Sequence, residues 1–197
     1  MNLLGSSRRG FLGAVLGLAF LPSTYARELR GVALPEEIKI TDDGPVLPLA
    51  GAGVFRYFFI SVYVCGFYLP PRRTWGNDPL GADHPRRVSL VMLRGVSARL
   101  FLWGLDKGLA DNTSAVELAA LDQPMEKLRS VIRSIRTLES GARVNIDYTP
   151  RAGTGINVDG RLVGEPIAGK GLNDALLRVW LGEKPLDERL KETLLRS

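Results

Sequence analysis

Between Gly51 and Leu69 the chain reads Gly-Ala-Gly-Val-Phe-Arg-Tyr-Phe-Phe-Ile-Ser-Val-Tyr-Val-Cys-Gly-Phe-Tyr-Leu, a run dominated by aromatic and β-branched side chains. Such a composition belongs in a sheet, and it predicts one long, largely buried strand or two strands in sequence. Gly51-Ala52-Gly53 predicts a turn ahead of it. Period-2 alternation puts Phe55, Tyr57, Phe59, Ser61, Tyr63, Cys65 and Phe67 on one face, and Val54, Arg56, Phe58, Ile60, Val62 and Val64 on the other. The first face is aromatic with hydroxyl tips, which suits an apolar pocket carrying a few hydrogen-bonding groups. The competing reading is that both faces are simply buried. In a regular strand Arg56 points away from Tyr63, and a bulge would reverse that relation.

The N-terminus is set apart from fold reasoning. Ser7-Arg8-Arg9-Gly10-Phe11-Leu12 reads as a twin-arginine export signal. The apolar run from Phe11 to Leu21 is broken by Gly13 and Gly17 and followed by Pro22 and Ser23-Thr24-Tyr25-Ala26. It is too short to span a bilayer, which takes roughly twenty residues. An ordinary secretory leader or an uncleaved amphipathic start would look similar. The expectation is a signal peptide over 1–26, a single domain over 27–197, and a periplasmic location. Arg8 and Arg9 are the only charged residues of that leader, so its removal takes the net charge from +5 to +3. That weak, scattered charge argues against nucleic acid. No second long apolar run exists, so stable membrane insertion of the mature chain is not expected. The single cysteine, Cys65, leaves no internal disulfide and reads as a small buried hydrophobe.

Strand signals over Glu37–Ile40 and Val46–Leu49 precede the aromatic run, and a Pro, Gly, Asn and Asp-rich loop follows it from Arg72 to Pro85. Arg87 to Leu93 returns to strand. Ser97 then caps a helix whose apolar face is Ala98, Leu102, Leu105 and Leu109. Ser114 and Glu117 form a capping-box pattern ahead of a stripe through Leu118, Leu121, Met125, Leu128, Ile132 and Ile135, which Pro124 kinks or divides. Val144, Ile146 and Tyr148 alternate with polar residues, Pro150 to Gly155 forms a hairpin tip, and Asp159-Gly160 is a two-residue turn signal. Leu172, Ala175, Leu176, Val179 and Trp180 make one helical face, and Asp187 caps a last helix. Strands, helices, hairpins and helices in that order indicate α+β, an antiparallel sheet with helices on one face.

Most catalytic constellations are missing. His84, the only histidine, lies in a Pro-rich loop with no partner for a metal site and reads as exposed. No Ser-His-Asp or Cys-His pairing can be placed. Gly51-Ala52-Gly53 and Gly153-Thr154-Gly155 lack the third glycine of a dinucleotide fingerprint and read as turns. No carboxylate pair emerges. The residues therefore indicate no catalytic set, no metal and no cofactor.

Gly-Ala-Gly, the arginine-aromatic stretch and the ending Val-Tyr-Val-x-Gly-x-Tyr-Leu resemble the core strand of the chalcone isomerase-like family. Val88 to Ser97 resembles its strand-to-helix junction, Ile156 to Gly160 its late hairpin, and Leu172 to Leu194 its carboxyl-terminal helices. The resemblance implies an open-faced β-sandwich, a large antiparallel sheet with helices layered on one face and a cleft between them. Plant enzymes of the family cyclise chalcones, using an arginine and hydroxyl groups to hold the substrate oxyanion, and other members bind fatty acids. By this resemblance the arginine position falls on Phe55 and the strand threonine position on Tyr63. The helical tyrosine and asparagine positions fall near Ala98 and Leu105. The catalytic set is thus lost.

The leading expectation is an exported, non-catalytic binder of a hydrophobic small molecule such as a fatty acid, in the helix-sheet cleft. Its candidate ligand-binding residues are Phe55, Arg56, Tyr57, Tyr63 and Arg94, with Arg94 first and Arg56 second as carboxylate partners. The alternatives are an intramolecular lyase or isomerase acting on a chalcone-like enone with other residues, and a periplasmic accessory or scaffold protein. The sequence leaves the oligomeric state open.

Overall fold

A computed structural model describes residues 26–74, 78 and 80–195, so the leader expected over residues 1–26 lies almost wholly outside the described residues. The strands are β1 (Ala26–Leu29), β2 (Val32–Pro35), β3 (Glu37–Ile38), β4 (Leu47–Tyr57), β5 (Ile60–Tyr68), β6 (Arg86–Met92), β7 (Val96–Ser97), β8 (Thr137–Leu138), β9 (Arg143–Thr149), β10 (Gly153–Val158) and β11 (Arg161–Ile167). The helices are α1 (Ala98–Asn112), α2 (Ala115–Ala120), α3 (Asp122–Ile135), α4 (Lys170–Leu181) and α5 (Glu188–Leu194). Among the described residues seven strands form one sheet in the order β11-β10-β9-β6-β5-β4-β3, every neighbouring pair antiparallel. β1 and β2 form a separate hairpin, and β7 and β8 a short ribbon.

The aromatic run is two strands. Tyr57 pairs with Ile60, so Phe58 and Phe59 form the turn of a hairpin. A register shift between Phe55 and Arg56 leaves Val62 as an extra residue on β5. The simple alternation therefore fails beyond Phe55. Phe55, Tyr63, Cys65 and Phe67 share the helix-facing side as expected, but Tyr57 and Phe59 are out in solvent.

Gly51-Ala52-Gly53 is not a turn. Both glycines lie inside β4 on the face that α5 covers, and a β-carbon at Gly51 would overlap the backbone of Thr193 and Leu194. The glycines let a helix lie directly on the strand. Gly153-Thr154-Gly155 likewise opens β10, where Gly153 at φ 87° lies against the Ile167 backbone.

Two apolar layers flank the sheet. On one face Tyr63, Cys65, Phe67, Leu90, Val144, Ile146 and Ile156 pack under α1, α3, α4 and α5. On the other, Leu47, Leu49, Val64, Tyr68 and Val91 pack under Leu34 of the β1–β2 hairpin. The expected caps are present: Ser97 accepts from the Leu100 amide, Ser114 from Glu117, and Asp187 from Arg189 and Leu190. Pro124 sits in the first turn of α3, where its missing N–H costs nothing, and the break between α2 and α3 falls at Leu121. Asp159 and Gly160, at φ 49° and 84°, form the expected tight turn.

Candidate functional site

Phe55 and Tyr63 are register partners across β4 and β5, and their rings stack at 4.7 Å and 19°. From the helix layer Trp180 Nε1 donates to the Tyr63 hydroxyl at 2.9 Å. Burial pushes the Tyr63 phenol far above its ordinary pKa, so it stays neutral and cannot serve as a base. Cys65 beside it is fully buried and its thiol is likewise pushed up by burial. Ala98 and Leu105 are packed core. The interior between sheet and helices is well packed around these residues. Its cavity, lined by Phe101, Leu105, Ile132, Ile146, Ile156 and Leu176, holds about 10 Å³, space for about one water.

The five candidate ligand residues do not meet at one place. Phe55 and Tyr63 form the stack, whereas Arg56, Tyr57 and Arg94 are exposed at the β4–β5 turn. The Arg56 amide faces Asp187 Oδ2 at 3.4 Å, and Arg94 Nε donates to the Ser61 carbonyl at 3.1 Å. Val62, the bulged residue, is what shifts this end of the hairpin out of register with the stack.

An open groove lies on the opposite face of the sheet. It measures about 230 Å³ and runs between the β1–β2 hairpin, which supplies Ala33 and Pro35, and a polar part of the sheet. Ile38 and Tyr68 give it apolar walls, and Arg87, Ser89, Arg143 and Asn145 give it polar ones. Arg87 is neutralised by its cross-strand partner Asp147, to which it binds through both Nε and Nη2, the latter at 2.8 Å. Arg143 is different. Among the described residues its guanidinium bonds only neutral oxygens, Ser89 Oγ and the Ala33 carbonyl, each at 3.3 Å. Asn145 is buried, and its side-chain oxygen has no partner among the described residues. The Tyr68 hydroxyl donates to the Pro35 carbonyl at 3.0 Å, and burial pushes its pKa up to about 12, moderated by Arg143 and Arg87. The groove thus combines an apolar wall with a guanidinium that has no ion-pair partner among the described residues. Sequence reasoning missed it because its walls come from four segments and the β1–β2 hairpin was not recognised.

A second polar cluster was also missed. His84 is buried rather than exposed, and the neighbouring Arg86 is 1% exposed. Arg86 Nε donates to Asn173 Oδ1 at 2.6 Å, its Nη2 binds Asp174, and its guanidinium lies 4.8 Å from the centre of the Tyr148 ring. Lys170 joins Asp174 at 2.6 Å, and the Tyr148 hydroxyl donates to Asp83 at 2.7 Å. This network ties the start of α4 to the sheet. No cluster of metal-ligating side chains occurs among the described residues.

A large antiparallel sheet with helices packed on one face defines an open-faced β-sandwich. The chain belongs to the chalcone isomerase-like family, whose sequence model matches residues 26–196. No curated protein matches it. Among solved structures it is similar to a fatty-acid binding protein of Arabidopsis thaliana, at a TM-score of 0.63 and 19% identity over 89% of this chain and 94% of that one. That likeness is one of fold. Among the described residues no helix is long and apolar enough to cross a membrane.

Proposed function

We propose that this protein binds, without transforming, a hydrophobic small molecule with an anionic head, of the fatty-acid class, after export to the periplasm. Arg8-Arg9 and the apolar run behind it support the export. The observation that carries the binding is the groove beneath the β1–β2 hairpin, where the Arg143 guanidinium has no carboxylate partner among the described residues and Ala33, Pro35, Ile38 and Tyr68 offer apolar contact. A carboxylate there would exchange two long bonds to neutral oxygens for charge-assisted ones. The alkyl portion would lie along the hairpin. The similar plant structure is named for fatty-acid binding, which makes this ligand class the first to test.

The test is a titration of the protein with medium-chain fatty acids and with their methyl esters, alongside mass spectrometry of lipids extracted from it. Binding that needs the free carboxylate and weakens roughly tenfold or more in Arg143→Ala, with partial recovery in Arg143→Lys, supports the proposal. Equal binding of acid and ester, or indifference to Arg143, rules the groove out as the head-group site.

A further inference from the structure

The turn between β4 and β5 is made of two phenylalanines, a choice that works against the fold. Phe58 sits at φ 55°, the left-handed region that two-residue hairpins normally fill with Gly, Asn or Asp. Phe58 is 78% exposed and Phe59 is 96% exposed, and Tyr57 and Ile60 are exposed on either side. Tyr57 meets Phe58 edge-on at 4.8 Å and Trp103 of α1 edge-on at 6.2 Å. Leu100, one turn before Trp103, is exposed as well, so the turn and α1 present one connected apolar surface. Neither burial nor turn chemistry accounts for it.

The charges around this surface narrow its partner. Arg30, Arg56 and Arg94 converge on Ser61, the residue after Ile60. Arg30 Nη2 lies 3.5 Å from Ser61 Oγ, Arg94 Nε 3.1 Å from the Ser61 carbonyl, and Arg56 is the cross-strand partner of Ser61. All three are exposed, and none forms a side-chain ion pair among the described residues. Arg99 stands one turn before Trp103 on the same face of α1. Carboxylates border it too, among them Asp106, one turn after Trp103 and paired with Arg129. Asp187 is occupied in capping α5 and facing the Arg56 amide, and Glu139 lies beside Gly95.

We propose that the β4–β5 turn is a membrane anchor. Phe58, Phe59 and Ile60 enter the interface of an anionic lipid bilayer, with Tyr57 and Trp103 at its boundary and Arg30, Arg56 and Arg94 at the level of the lipid phosphates. Aromatic and aliphatic side chains backed by arginines are the pattern that interfacial binding uses, and each arginine adds electrostatic attraction to anionic lipid. A protein partner would need a matching pocket for so exposed a tip. A bilayer accepts it without one.

The test uses the full chain with an environment-sensitive fluorophore on Phe59→Cys, and on Arg151→Cys in the β9–β10 turn at the opposite end of the sheet. Cys65 is fully buried and stays unlabelled. Phosphatidylcholine vesicles containing phosphatidylglycerol are expected to brighten and blue-shift the label at 59 but not at 151. Phosphatidylcholine alone should do so much less. Arg30→Gln, Arg56→Gln and Arg94→Gln should each weaken vesicle binding about fivefold. Phe58→Gly with Phe59→Asn suits a turn whose first central residue alone has positive φ, so it should keep or raise stability while abolishing co-sedimentation of the unlabelled chain with the anionic vesicles, which separates anchoring from folding. No response at 59, or equal responses at 59 and 151, overturns the proposal. So does a concentration-dependent blue shift without vesicles, which would place a second copy over the tip.

Discussion

The Tyr63 hydroxyl accepts a hydrogen bond from Trp180 Nε1 at 2.9 Å, joining the central hairpin of the sheet to α4 in the buried interior. Both residues are nearly solvent-free, and Phe55 closes the other side of the Tyr63 ring. The bond therefore holds the helix layer at the site where a ligand cleft would otherwise open.

Removing one partner leaves the other unsatisfied in an apolar setting. Tyr63→Phe strands the indole N–H, and Trp180→Phe strands the hydroxyl and also removes volume. Each should lower unfolding free energy by about 1–3 kcal/mol, with Trp180→Phe the costlier. The double variant should lose about 1 kcal/mol less than the sum of the two, because the stranded group is gone. Urea denaturation of the four proteins measures the coupling, and strict additivity would show that the bond contributes nothing.

Enone cyclisation should be absent. By family resemblance Phe55 stands at the position of the oxyanion-holding arginine, its ring stacked on Tyr63, and burial keeps Tyr63 from ionising. Chalcone incubated with the protein should cyclise at the uncatalysed rate at neutral and mildly alkaline pH. A rate above that background which Tyr63→Phe lowers would restore the cyclase reading.

The two glycines of β4 should differ in tolerance. At Gly51 an added β-carbon meets the backbone of Thr193 and Leu194, which cannot rotate away. At Gly53 it meets the Thr193 hydroxyl and Leu190 Cδ1, which are side-chain atoms. Gly51→Ala should cost about 3 kcal/mol or more by displacing α5, and Gly53→Ala nearer 1 kcal/mol after repacking. Thermal unfolding of the two variants gives the order, and a reversed order would mean that α5 shifts freely.

What could be read in the sequence was local chemistry. The Asp159-Gly160 turn and the caps at Ser97, Ser114 and Asp187 depend on residues a few positions apart, and all appear as expected. The core stripe of α3 and the buried face of α4 follow from helical period alone. Phe58-Phe59 carries no turn chemistry, so alternation ran straight through the hairpin tip and misplaced Tyr57 and Phe59. Gly51 and Gly53 read as a turn because their real partner, α5, lies more than a hundred residues on. The groove and the buried Arg86 share that difficulty: Arg143 meets Ala33, and Arg86 meets Asp174, only after the whole sheet is assembled. Even family resemblance located the Phe55 and Tyr63 positions without revealing that their rings close the interior.

Stability should fall on mild acidification because of His84. Its ring is buried in the loop before β6, where Nδ1 donates to the Pro85 carbonyl at 3.3 Å and Nε2 has no partner among the described residues. Burial lowers its pKa below the ordinary imidazole value, and the nearby cations Arg86 and Lys170 act in the same direction. Asp83 and Asp174, the carboxylates closest to this cluster, are already engaged with Tyr148 and with Arg86 and Lys170. The folded state therefore resists a proton that the unfolded chain accepts below about pH 6.5. The stability contributed by neutral His84 is complete above that value and is lost as pH falls toward the lower folded pKa. Within that window the slope cannot exceed about 1.4 kcal/mol per pH unit, the value for one whole proton. His84→Gln, which keeps a neutral polar side chain, should flatten the curve just below about pH 6.5, where ordinary carboxylates contribute least. Urea unfolding at several pH values measures it, and parallel curves for the two proteins would show that His84 is protonated equally well in the folded state.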